Sequence, residues 1–101
     1  MRFKTEELKR LYTTPLQDIK GKFPFGRDII KQYKKKVLLL ISVSKLKQLK
    51  QFKGLKFEYL KGKRKGECSI RLNKQYRLIF KPIDGINKEI IVINEISKHY
   101  E

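Results

Sequence analysis

The chain is short of the residues on which metal, redox and nucleophilic chemistry depend. Its 101 residues include one cysteine, one histidine and no tryptophan. A lone Cys68 cannot close an intramolecular disulfide, and nothing points to an oxidising compartment. Cys68 also falls in an alternating strand pattern, where a small buried hydrophobe is the expected role. With His99 as the only histidine, a zinc site would have to rest on carboxylates, against that metal's preference for nitrogen and sulfur. No metal motif, phosphate-binding glycine loop or serine–histidine–aspartate arrangement is present, so no metal and no cofactor is expected. Long apolar runs are missing too. The longest, Val37 to Ile41 extended by Val43, is far too short to cross a bilayer, and the N-terminus has no signal-peptide core. A cytoplasmic protein with no membrane partner is the expectation.

Acidic residues are scarce as well. Lys and Arg total 26 against 10 Asp and Glu, a formal charge of +16. Such self-repulsion opposes folding and is usually tolerated because a polyanion or an acidic partner neutralises it. A lysine-rich composition with no partner behind it is the plain alternative. An apolar content of 40% is enough for a packed core despite 36% charged residues, so disorder is not expected. The length suits one domain spanning residues 1–101.

Periodicity places the elements. Met1 to Phe3 reads as a short leading strand. Thr5 caps a first helix whose opening turn carries Glu6 and Glu7, favourable at the positive end of the helix dipole. "TTPLQDIKGKFPFG" is a loop with one pause. Asp28 opens the main helix, in which Ile29, Tyr33, Val37, Leu40 and Ile41 recur at three- and four-residue spacing to about Ser42. Lys31 and Lys34 to Lys36 lie on its other side. "SKLKQLKQF" reads as a short helix capped by Ser44, with Gly54 ending the helical region. Extended chain follows from Leu55 to Leu60. Cys68, Ile70 and Leu72 then share one face of a strand, and Ser69, Arg71 and Asn73 the other. After a turn near Asn73–Gln75, Tyr76, Leu78 and Phe80 alternate with Arg77, Ile79 and Lys81. "PIDG" reads as a turn, and "EIIVINEI" as a strand apolar on both faces, hence central or covered. Helices first and strands last imply an α+β fold, with N-terminal helices packed on a small antiparallel β-sheet.

What remains for chemistry is arginine, lysine, tyrosine and one histidine, an inventory that still permits RNA cleavage. Transfer of a phosphodiester to its own 2′-hydroxyl needs alignment, a proton acceptor, cations for the developing charge and an acid for the leaving oxygen. Arg71 and Arg77 are the charge-stabilising candidates, because each should project from a rigid strand, and the guanidinium fork suits phosphate oxygens. Two solvated arginines, or arginines paired with Glu95 or Asp84, are the bland reading. Lys61, Lys63, Arg64 and Lys65 form a basic loop suited to sequence-independent phosphate contact. Like charges crowded together make a lysine a better proton acceptor; Lys61, nearest the apolar "FEYL", is the preferred one. His99 suits proton transfer near neutral pH, and Tyr100 beside it could stack on a base, although a terminal histidine is more often surface. Tyr76 and Lys98 complete the candidate RNA contacts.

"FEYLKGKRKGECSIRLNKQYRLIF", with "LKQLKQFKGL" before it and a terminal "INEISKHY", resembles the HigB branch of the RelE/ParE toxin superfamily, the plasmid-maintenance killer proteins. The resemblance also takes in "KTEELKRLY" and the lysine-rich central helix. It implies two N-terminal helices against an antiparallel sheet, and metal-independent cleavage of messenger RNA on the ribosome. It also implies a co-encoded HigA-like antitoxin bearing a helix-turn-helix, with operator DNA bound only through the toxin–antitoxin pair. The phosphate-contacting arginine of such toxins falls on Arg77, the lysine of "LKG" on Lys61, a basic residue of the preceding strand on Arg71, and the terminal histidine on His99. Two positions depart from the family pattern. Glu58 stands where a histidine precedes "LKG", making it a further candidate proton acceptor or a salt-bridge partner. Ser97 and Lys98 replace an acidic residue and a tyrosine. The competing functions are a non-enzymatic, ParE-like gyrase inhibitor and a basic RNA-binding module without cleavage.

Overall fold

Apolar spacing and caps account for the helical layer in the computed structural model, which describes residues 1–85 and 89–98. Helix α1 covers Glu6–Thr13, and the Thr5 side chain accepts from the Leu8 N–H at 3.2 Å, as expected of its N-cap. Helix α2 covers Arg27–Ser42 and buries Ile29, Ile30, Tyr33, Val37 and Leu40 on one stripe. Each such side chain, taken fully out of water, is worth about 1.5–3 kcal/mol of transfer free energy. Tyr33 ties the two helices together: it is wholly buried, and its hydroxyl donates to the Leu8 carbonyl at 2.7 Å.

The lysines of α2 are not all on the solvent side. Lys34 Nζ donates to the carbonyl of Tyr12 at 2.9 Å and to that of Thr14. It thereby satisfies backbone groups at the C-terminal end of α1, where a cation also complements the dipole. The next segment differs from expectation in form. Residues Leu46–Gln51 wind as a 3₁₀ helix, burying Leu46 and Leu49. Ser44 does not cap it: the Gln48 side chain reaches back to accept from the N–H groups of Ser44 (2.8 Å) and Lys45 (3.1 Å). Gly54 does not stop the helical region either. A second 3₁₀ turn, Lys53–Leu55, runs through it, and Lys56 ends that turn in the left-handed region at φ 50°. Extended chain is accordingly confined to Glu58–Tyr59.

The sheet has five strands in the order β1-β5-β4-β3-β2: β1 Arg2–Phe3, β2 Glu58–Tyr59, β3 Cys68–Arg71, β4 Tyr76–Asp84 and β5 Glu89–Lys98. The fold is α+β as expected. The sheet is mixed, because β1 pairs parallel to β5 while all other pairings are antiparallel. The β3–β4 turn is built by Asn73, whose side-chain oxygen accepts from the N–H groups of Gln75 and Tyr76 at 2.7 and 2.8 Å. "PIDG" is not a turn through most of its length. Pro82, Ile83 and Asp84 pair with β5, and Pro82 is tolerated there because β4 has by then run past Cys68, the first residue of β3.

Cys68, Ile70, Leu72, Leu78, Phe80, Ile91 and Ile93 meet the helices in one hydrophobic core. The alternation of β5 is interrupted once, while Ile90 and Val92 remain apolar on the face away from the helices. Ile79 pairs with Glu95 and Phe80 with Ile93, leaving Asn94 as an extra residue in β5. That bulge reverses the phase of the strand. Ile91 and Ile93 face the helices before it and Ile96 after it, while Glu95 and Ser97 turn to the opposite face. Among the described residues, no helix is long and apolar enough to cross a membrane.

Candidate functional site

The sheet face turned away from the helices carries Glu58, Ser69, Arg71, Arg77, Ile79, Glu95 and Ser97, none of which joins the helix-lined core. Two registered rows cross it. In one, Glu58 pairs with Ser69, Ser69 with Ile79 and Ile79 with Glu95. In the other, Arg71 pairs with Arg77 and Arg77 with Ser97. Strand alternation therefore brings the two candidate phosphate-binding arginines to directly opposed positions.

Arg77 is held rather than solvated. Its Nε donates to Ser69 Oγ at 3.0 Å, and Nη2 donates to the Lys56 carbonyl. Glu58 Oε1 lies 3.5 Å from Nη2, so the residue placed as a proton acceptor or salt-bridge partner sits beside this arginine. The Arg77 side chain is 11% exposed against 56% for Glu58. The carboxylate is the movable member of that pair, and an exposed ion pair of this kind contributes little stability. Arg71 is half-buried and makes no side-chain hydrogen bond or ion pair among the described residues. Its backbone position is directly opposite that of Arg77, and its donors are uncommitted among the described residues. Like charges opposed across a ladder repel, and an anion between them relieves that repulsion.

The basic loop divides into two kinds of residue. Lys61, Lys63 and Lys65 are exposed around a 3₁₀ turn, Gly62–Arg64, that opens on Gly62 (φ 66°) and is followed by Gly66 (φ 96°). Arg64, grouped from sequence with these lysines as an RNA contact, points elsewhere. Its Nε lies 3.0 Å from Glu67 Oε1, its Nη2 lies 3.1 Å from Glu67 Oε2, and Nη2 also bridges to Glu95. A guanidinium whose charge is already balanced by two carboxylates attracts a phosphate less than the uncompensated lysines beside it. These hydrogen bonds, Glu95's first and then Glu67's, hold its pKa above the ordinary arginine value. Asn94, the bulge residue, donates to Glu67 Oε2 at 2.7 Å. Burial tends to raise the pKa of Glu67, but hydrogen bonds from Asn94 and Arg64, with the charges of Arg64 and Lys4, hold it below the usual glutamate value.

Tyr76 also leaves the site. It lies on the helix side of the sheet, its ring edge-on to Phe25 at 5.7 Å between centroids and its hydroxyl donating to the Pro24 carbonyl at 2.8 Å. It pins the loop before α2 and is no free stacking platform. Lys98 pairs with Tyr76 at the exposed end of β5 and so belongs to the Tyr76 row rather than the arginine row. His99 and Tyr100 lie outside the described residues. Sequence reasoning missed Ser69 and the Lys56 carbonyl as partners of Arg77. Alternation did put Ser69 on the arginine face; nothing in the sequence marks Lys56 for a left-handed backbone.

A solved structure, a YoeB/ParE toxin from Agrobacterium tumefaciens, aligns with a TM-score of 0.46 at 20% identity, covering 72% of this chain and 76% of that one. Toxin HigB-1 of Vibrio cholerae serotype O1 (strain ATCC 39315 / El Tor Inaba N16961) is 64% identical over 33 residues, which are 33% of this chain and 35% of that toxin. The aligned stretch thus spans about a third of the curated relative. The family described as HigB-like toxin, "RelE-like toxin of type II toxin-antitoxin system HigB", matches residues 1–94. The chain belongs to the HigB-like family of RelE-like toxins of type II toxin–antitoxin systems.

Proposed function

We propose that this toxin is a ribosome-dependent endoribonuclease that cuts messenger RNA by attack of a 2′-hydroxyl on the adjacent phosphate. The observation that carries the reading is the opposition of Arg71 and Arg77 on a sheet face outside the helix-lined core. Arg77 binds the scissile phosphate and stabilises the charge that builds on its oxygens as the 2′-oxygen attacks; Arg71 shares that charge from the neighbouring strand. Lys61 or Glu58 accepts the 2′-hydroxyl proton, and His99 donates one to the departing 5′-oxygen. The exposed Lys61, Lys63 and Lys65, with Lys98 and Tyr100 at the chain end, track RNA backbone and bases. A translating ribosome supplies the messenger RNA and places the activity in the cytoplasm. The inhibiting partner is a HigA-like antitoxin bearing a helix-turn-helix, through which the pair contacts operator DNA.

Inducing the toxin and mapping 5′ ends on translated transcripts tests this directly. New 5′ ends within coding sequence are expected for the wild type and not for Arg77→Ala or His99→Ala. Growth arrest with gyrase-linked DNA breaks and no new RNA ends would replace the nuclease reading with a ParE-like one. Cleavage unaffected by both substitutions would preserve the activity and overturn the residue assignment.

A further inference from the structure

We infer that Ser69 is a positioning residue that fixes the rotational setting of the Arg77 fork toward phosphate, with the Lys56 carbonyl as its second anchor. The inference rests on the nuclease reading for its kinetic consequence, but not for its geometry. Among the described residues, Ser69 is the one polar side chain in the buried class, 1% exposed, although it lies on the face opposite the helix-lined core. A polar group is buried in this way at a cost unless it is hydrogen-bonded. Its partner is Arg77 Nε, at 3.0 Å. Ser69 and Arg77 are not cross-strand partners; Ser69 pairs with Ile79. The arginine therefore lies diagonally along the sheet toward the Glu58–Ser69 row.

The second anchor is backbone. Lys56 is the one non-glycine residue with positive φ among the described residues, and its carbonyl accepts from Arg77 Nη2. Side-chain-bearing residues visit this left-handed region only where the surroundings impose it. Here the 3₁₀ turn Lys53–Leu55 ends on Lys56 and leads directly into Phe57 and β2. Nε and Nη2 are thus both tied to protein, on two different segments. An arginine fork has more N–H donors than these contacts use, and the remainder stay free for phosphate oxygens in a fixed orientation. A phosphate-binding arginine on a flexible stem would spend binding energy on ordering itself; this one is ordered beforehand.

The test compares Ser69→Ala with Arg77→Ala in single-turnover cleavage of messenger RNA on programmed ribosomes, alongside the NMR signal of the Arg77 Nε–H. For Ser69→Ala the expected result is a fall in kcat of about tenfold, the scale of one lost hydrogen bond to a charged group, with KM changed by less than about twofold and a melting temperature close to wild type. A purely structural serine would instead lower the melting temperature and leave kcat unchanged in the folded fraction, overturning the inference. Wild-type kcat in Ser69→Ala with cleavage abolished in Arg77→Ala would also overturn it while leaving the nuclease reading intact. Full cleavage by Arg77→Ala defeats the nuclease reading, and the NMR arm then decides the geometry alone. If Ser69→Ala fails to fold, the unmutated protein still decides: a slowly exchanging Arg77 Nε–H supports the anchor, and exchange as fast as that of an exposed arginine refutes it.

Discussion

Arg71 and Arg77 occupy directly opposed positions in the β3–β4 ladder, two like charges where a sheet normally places complementary ones. Opposed like charges destabilise an antiparallel pair by an amount similar to what opposite charges contribute, roughly 0.2–1 kcal/mol. Arg77 is relieved in part by Ser69, the Lys56 carbonyl and Glu58, whereas Arg71 has no such partner among the described residues. On the proposed reading, the pair is a feature that folding tolerates for the sake of an RNA phosphate. Arg71→Thr should raise stability by up to about 1 kcal/mol in urea denaturation at low salt, with the gain shrinking as salt screens the repulsion. The same substitution should weaken binding of the toxin to RNA. A variant both less stable and equally active would mean that Arg71 is a structural residue.

The lysine loop carries a different expectation, because its members are exposed and aimed at no single atom. Each lysine that neutralises an RNA phosphate contributes about one unit to the slope of log affinity against log salt concentration. Lys63→Ala and Lys65→Ala should each flatten that slope by about this amount in ribosome co-sedimentation, without changing where the message is cut. Arg64→Ala should leave the slope nearly unchanged and cost stability instead, since its guanidinium is already spent on Glu67 and Glu95. Equal slope losses for all three would restore Arg64 to the RNA surface.

Much of this architecture is legible in the sequence because it follows from local rules. The threefold and fourfold spacing of Ile29, Tyr33, Val37 and Leu40 determines α2, and the alternation from Cys68 to Phe80 determines which side chains meet the core. The arginine face follows from the same alternation. What escaped were long-range choices between similar local options. Lys34 looks like any other lysine of α2 until α1 packs beside it and offers the carbonyls of Tyr12 and Thr14. The bulge at Asn94 is invisible in "EIIVINEI", because isoleucine is acceptable on either face. Tyr76 lies on the core side by alternation; only the tertiary contacts with Phe25 and Pro24 show that its ring is used there. Lys56 adopts a left-handed backbone at the point where the 3₁₀ turn Lys53–Leu55 gives way to Phe57 and β2.

The Glu67 carboxylate links the basic loop to the sheet, and its lowered pKa gives the fold a defined acid sensitivity. A carboxylate whose folded pKa is depressed contributes stability above its unfolded value, about 4.3 for glutamate, and loses it as the pH falls through the folded value. Wild-type urea midpoints should therefore drop as the pH is lowered from about 5 to about 3. Glu67→Gln, still able to accept a hydrogen bond from Asn94 but without the charge that Arg64 uses, should start from a lower midpoint at neutral pH and show a shallower acid slope. Identical acid slopes for the two proteins would place the sensitivity on other carboxylates.

Tyr33 makes the corresponding prediction at the alkaline end. Burial drives its pKa well above the ordinary tyrosine value, because a phenolate in this core would have no water around it. A tyrosine whose folded pKa is raised contributes stability that is fully present below its unfolded pKa, about 10, and is lost as the pH rises above that value. At neutral pH, Tyr33→Phe should cost about 1 kcal/mol for the hydrogen bond to the Leu8 carbonyl. That carbonyl sits in the first turns of α1, so the loss also loosens the contact between the two helices. Above about pH 10 the wild type begins to pay for keeping the phenol protonated and the variant does not. The stability gap measured by urea denaturation should therefore narrow as the pH rises above about 10 and close by about pH 10.6. A gap that stayed constant to pH 11 would mean that the hydroxyl can ionise in place, and that the α1–α2 interface is wetter than its packing indicates.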